Sequence, residues 1–182
     1  MNRAEKKTGA NGGFTLIEML VVLAIIIIIT GIVIFNVGSE RANAALERSA
    51  QNLSLDLRRV ENYALSAKEF KNSGAPCGWG IHFNGAGSTS YIIFADTASS
   101  PDCSNRDFKR AADGSEDFET VNLDGGIQIG VLSAGLSDVV FSPPEPSVVF
   151  TPSQTSAFVT LTNKDYLTKS IIVNQAGYIS SP

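Results

Sequence analysis

The chain has 182 residues, a formal net charge of −4 and an ordinary apolar content of 43%, enough for one soluble domain plus an extension. Its 14 Lys and Arg are outnumbered by 18 Asp and Glu and form no basic block, so a nucleic-acid-binding surface is not expected. Leu, Ile and Val crowd between Leu16 and Val37, while Asn, Ser, Thr, Gly and Pro dominate from Asn72 onward. This is the pattern of a hydrophobic stalk followed by a polar, strand-rich head.

The first stretch, MNRAEKKTGANGG, carries Arg3, Lys6 and Lys7 against Glu5, a net charge of +2. A positive flank ahead of an apolar run stays cytoplasmic, which places the remainder of the chain outside. No residue between Glu18 and Glu40 is charged. As a helix this run is roughly 32 Å long, about one hydrocarbon core. Ile25–Ile29 are poor helix formers in water, but in lipid the backbone has to satisfy itself and helix is the expected state. Taken alone, such a run fits a plain signal anchor. The exception to its apolar character is Glu18 near the start. A carboxylate in a bilayer is costly unless paired, so it is a functional candidate.

No breaker follows until NSGAP (Asn72–Pro76). Gly74 suits a helix C′ position, Pro76 stops continuation, and Lys68 and Lys71 suit the negative end of the helix dipole. A single helix is therefore predicted from about Phe14 to about Lys71. Gly31 and Gly38 are its weak points, each costing about 1 kcal/mol relative to Ala. In the outer half Leu46, Ala50, Leu53, Leu57, Val60 and Ala64 recur at steps of four and three and form one stripe. Arg48, Asp56, Arg58, Arg59 and Glu61 lie off it. The stripe lasts under three heptads, short for a coiled coil, and is predicted to pack on the chain's own head.

Beyond Pro76 the pattern changes to short strands and turns. WGIHF (Trp79–Phe83) and YIIFAD pair across the loop NGAGSTS. FETVNL and IQIGVL, joined by DGG, read as a second hairpin. DVVF and SVVF flank SPPEPS as a third pair, AFVTLTN and KSIIVN form a fourth, and QAGYI ends as a turn and strand. Short connections imply an antiparallel sheet, or two packed sheets, with the helical stripe over one face.

Cys77 and Cys103 are the only cysteines. An outward-facing head lies in oxidising surroundings, where a disulfide is reasonable; the alternative is two thiols that never meet. A bond would close a loop of about 25 residues, contributing roughly 3 kcal/mol. His82, the sole histidine, falls on the strand face opposite Trp79, Ile81 and Phe83 and is predicted to face solvent. Asp113, Glu116, Asp117 and Asp124 lack the spacing of an EF-hand calcium loop and read as a solvated acidic loop. Arg106, Lys109 and Arg110 read as solvated cationic surface. No nucleophile or metalloprotease motif is present, and neither metal nor cofactor is implied.

The segment GGFTLIE resembles the processing site of type IV prepilins and of the pseudopilins of type II secretion systems. Glycine, aromatic residue, acid and apolar run fall in the family's register from Gly12 to Phe35; the remainder matches only in layout. The resemblance implies cleavage after Gly13 by a membrane peptidase and methyltransferase, with N-methylation of Phe14. Glu18, fifth from Phe14, then pairs with the new α-amine of a neighbouring subunit. Such a pair at about 4 Å and an effective dielectric near 20 contributes roughly 4 kcal/mol before desolvation. The family's mature helix often contains a proline, and here none occurs between Met1 and Ala75.

The expected fold is α+β and pilin-like, a long N-terminal helix packed on an antiparallel β-rich head. Residues 1–13 form a cleaved leader, 14–38 the membrane and assembly helix, 39–74 its amphipathic continuation and 75–182 the head. Removing the leader takes the charge from −4 to −6. The implied partners are other pilin or pseudopilin subunits, the prepilin peptidase, an inner-membrane assembly platform, and membrane lipid before assembly. The implied location is the cytoplasmic membrane, head outside, then a periplasmic or extracellular filament. The strand-rich head and terminal GYI strand resemble the minor H-type pseudopilins and their pilus counterparts more than the major subunits. The competing reading is a signal-anchored extracytoplasmic binding or enzymatic domain.

Overall fold

A computed structural model describes residues 13–71, 74–97, 103–143 and 147–181; for residues 33–39 it describes the backbone only. The chain divides into two compact units, Met1–Gly38 and Ser39–Pro182. Helix α1, Leu16–Leu65, is 50 residues long and contributes to both.

In the first unit the large apolar side chains of α1 from Leu16 to Ile32 are all exposed. They cover every side of the helix, so this part has no polar face and no single buried stripe. Among the described residues no helix is long and apolar enough to cross a membrane. The run predicted to span includes residues 33–39, whose side chains lie outside the description.

In the second unit α1 is amphipathic. Leu46, Ala50, Leu53, Leu57, Val60 and Ala64 are buried, in the predicted stripe. The helix ends at Leu65 rather than near Lys71. Lys68 N–H donates to Tyr63 O at 3.0 Å and Ala67 N–H to Ala64 O at 3.1 Å, with Ala67 at φ +47°. These bonds are a Schellman termination, with alanine holding the left-handed position that glycine usually takes. Tertiary contacts stabilise the early stop. The Trp79 indole N–H donates to Lys68 O at 3.2 Å. The Lys68 ammonium lies 3.5 Å from the centre of the Tyr63 ring and 4.2 Å from that of Phe118, a cation–π arrangement. Gly74, the predicted end, accepts the Phe70 N–H in a later turn.

Among the described residues nine strands follow: β1 Gly78–Phe83, β2 Ser90–Asp96, β3 Asp117–Asn122, β4 Ile127–Leu132, β5 Asp138–Ser142, β6 Ser147–Thr151, β7 Ser156–Asn163, β8 Thr168–Asn174 and β9 Ile179–Ser180. They form a five-stranded sheet, β3-β2-β1-β5-β6, and a four-stranded sheet, β4-β7-β8-β9, antiparallel throughout. The expected pairs β1–β2, β5–β6 and β7–β8 form. The expected β3–β4 hairpin does not, because β3 pairs with β2 while β4 crosses to β7. The Asp124–Gly126 turn between them is pinned to α1. Asp124 accepts from Arg48 Nε at 3.0 Å and gives its N–H to Ser49 Oγ at 3.2 Å. Ile127 and Ile129 of β4 are buried, whereas most of β3 is exposed.

The α1 stripe and the inner faces of both sheets make one hydrophobic cluster, including Trp79, Ile81, Ile93, Ile129, Leu161 and Ile171. On the opposite face of the five-stranded sheet, Gly80 permits a close approach to Phe94. A Cβ there would lie 2.7 Å from the Phe94 ring and 2.8 Å from Val139 O.

Candidate functional site

At the N-terminal site Gly13, Phe14 and Thr15 precede the helix and are exposed, Phe14 to 79%. The Gly13–Phe14 bond is thus accessible and non-helical. Thr15 caps α1: its Oγ1 accepts the Glu18 N–H at 3.3 Å and its carbonyl the Met19 N–H at 3.2 Å. Thr15 and Glu18 have the spacing of a capping box, and Glu18 lies in the first turn, where the helix dipole favours an acid. This local reason for the acid was readable from the Thr-x-x-Glu spacing and missing from the sequence reading. Residues 1–12 of the predicted leader lie outside the described residues.

In the head Cys77 and Cys103 are disulfide-bonded, with Cα atoms 5.6 Å apart. The bond ties the segment after Cys103 to the chain entering β1.

His82 corrects an expectation. It is only partly exposed, and its Nδ1 lies 2.7 Å from Asp138 Oδ1. Asp138, itself buried, also accepts from Ser137 Oγ at 2.6 Å and from the Arg110 N–H at 3.3 Å. The Ser137 hydroxyl therefore serves the carboxylate rather than the imidazole, so this is not a nucleophile–base pair. His82 borders an open cavity of about 650 Å³ with Gly85, Val131, Leu132 and Ser137.

Glu116 and Asp117 of the acidic loop are built in rather than solvated, whereas Asp113 is exposed as expected. Glu116 is buried and accepts from Thr97 N–H at 2.7 Å, Thr97 Oγ1 at 2.9 Å and Ala111 N–H at 2.8 Å. Asp117 holds Arg110 in a two-point contact, at 2.5 Å and 2.7 Å, which pushes the guanidinium pKa up. Asp113 accepts the Ser115 N–H, and Asp124 serves α1. Arg106, expected as free surface charge, donates to Ser142 Oγ at 2.9 Å. Among the described residues no group of three or more His, Cys, Asp or Glu side chains could hold a metal ion. Asp96, at the end of β2 and 1% exposed, went unnoticed in the sequence because YIIFAD reads only as a strand ending in a turn residue.

Residues 9–34 match the family model of the prokaryotic N-terminal methylation motif. The chain therefore carries the prepilin signature of type IV pilin-like proteins, and the matched range includes Gly13, Phe14 and Glu18. Comparison with curated proteins and with solved structures gives no match.

Proposed function

We propose that this chain is a structural subunit, a minor one, of a type IV pilus or a type II secretion pseudopilus. It is cleaved after Gly13, methylated on Phe14 and polymerised through its N-terminal helix. The observation that carries this reading is the N-terminal junction: an exposed, non-helical Gly13–Phe14 bond opens directly onto a capped helix with exposed apolar side chains on every side. Such a surface calls for lipid before assembly and for neighbouring helices after it. Residues 1–13 are the leader, 14–38 the membrane and assembly helix, 39–74 its continuation and 75–182 the head. Glu18 meets the α-amine of a neighbouring subunit, because an acid in an apolar bundle needs a partner and only one stagger supplies it. The two-sheet head and its short terminal strand favour a minor subunit. Peptidase, assembly platform and sister subunits are the partners.

The N-terminal sequence of the mature protein tests processing; a start at methylated Phe14 is expected. Retention of Met1 favours the signal-anchored binding domain, with the cavity beside His82 as its site. Assembly is tested with Glu18→Gln, which keeps a side chain able to complete the helix cap but loses the charge. Cleavage should persist while incorporation into filaments is lost. Incorporation at the wild-type level would remove the charge pair from the reading.

A further inference from the structure

Asp96 closes β2 at a junction of three segments. Its carbonyl accepts the Cys77 N–H at 2.8 Å beside the disulfide, and its carboxyl faces the segment after Cys103 across a shared cavity. Its Oδ2 is buried with no hydrogen-bond partner. The carboxyl lines a cavity of about 240 Å³ that it shares with Asn105, Arg106, Asp107, Lys109 and Glu116.

A buried carboxylate oxygen without a partner is costly when charged, and the surroundings add to that cost. Glu116, from the turn before β3, and Asp107, from the segment after Cys103, both act on Asp96 as like charges. Glu116 is already occupied by three donors from Thr97 and Ala111. Asp107 Oδ1 accepts the Lys109 N–H. The cations lining the cavity are Arg106 and Lys109. Arg106 offsets the repulsion only in part, and its guanidinium donates to Ser142 Oγ and lies over the Phe108 ring. Neither cation donates to Asp96 Oδ2. Protonation removes the uncompensated charge.

We propose that Asp96 is a proton-operated latch, which in its neutral form holds the Cys103–Glu116 segment against the end of β2 and in its ionised form loosens it. Burial first, then Glu116 and Asp107, raise the carboxyl from 3.8 to about 6. A raised carboxyl binds its proton more tightly in the closed state than in the open one. The latch is therefore strongest below the open-state value, weakens as pH climbs toward 6, and contributes nothing further above it.

The test is hydrogen–deuterium exchange on the full processed chain in detergent, at about pH 5 and about pH 7.5, with uptake corrected for intrinsic exchange. Peptides covering residues 103–116 should open about tenfold more at the higher pH in the wild type, the factor that the two carboxyl values imply. In Asp96→Asn the ratio should be near one. An equal pH ratio in both proteins overturns the latch. So does restoration of protection by millimolar calcium at the higher pH, which would make the free oxygen a cation ligand. Should the variant not fold, carbon-13 titration of the wild-type Asp96 carboxyl decides. A midpoint near 6 supports the latch, and one near the ordinary aspartate value refutes it.

Discussion

The Tyr91 hydroxyl of β2 donates to the Asp56 carboxylate of α1 at 2.6 Å. Asp56 also takes Arg59 at 3.3 Å, and Arg59 in turn binds Glu119 of β3 at 2.8 Å. One phenol thus fastens the amphipathic part of the helix to the five-stranded sheet. Burial, and after it the Asp56 bond, push the phenol well above its ordinary pKa. Tyr91→Phe keeps the ring but leaves Asp56 with Arg59 alone. It should lower stability by roughly 1–3 kcal/mol, read as a lower denaturant midpoint at unchanged slope.

The stripe on α1 should dominate the head's stability. Leu53 is fully buried whereas Leu55, two residues on, is 62% exposed. Leu53→Ala is expected to cost about 2–5 kcal/mol and Leu55→Ala less than about 0.5 kcal/mol in chemical denaturation. Equal effects would mean that the helix does not pack by this face.

The helix stop offers a stabilising change. Ala67 holds φ +47°, a conformation that penalises a Cβ and suits glycine. Ala67→Gly should raise the unfolding free energy by about 0.5–1 kcal/mol, after allowing for the greater freedom glycine gives the unfolded chain. Thermal unfolding measures it directly.

Gly80 should tolerate no side chain. An alanine Cβ would press on both the Phe94 ring and the Val139 carbonyl, and the carbonyl belongs to the paired strand β5 and cannot swing aside. A loss of about 1–3 kcal/mol is expected for Gly80→Ala, with no such loss for Gly125→Ala, where the added atom has open space and the backbone is outside the left-handed region.

The disulfide should matter mainly through the unfolded chain. With its ends 26 positions apart in sequence, replacing both Cys77 and Cys103 by serine is expected to cost about 3 kcal/mol. Comparison of midpoints under non-reducing conditions checks this value.

Some features needed no tertiary information. The residues of the methylation motif, the buried stripe from Leu46 to Ala64, and the β1–β2, β5–β6 and β7–β8 pairings all rest on local periodicity and short turns. Such signals act between neighbours in the chain and survive in sequence. The destination of β4 was of another kind. Asp-Gly-Gly between two apolar runs has the grammar of a hairpin, yet Arg48 and Ser49, some 75 positions earlier, hold Asp124 on the helix while β4 joins another sheet. The helix end at Leu65, the His82–Asp138 pair and the buried Asp96 likewise depend on groups brought together from distant positions. Composition and spacing determine which residues seek burial and where the chain turns. Which strand each one meets, and which charge is left without a counterpart, is decided only when long-range packing selects one arrangement from many that the local pattern permits.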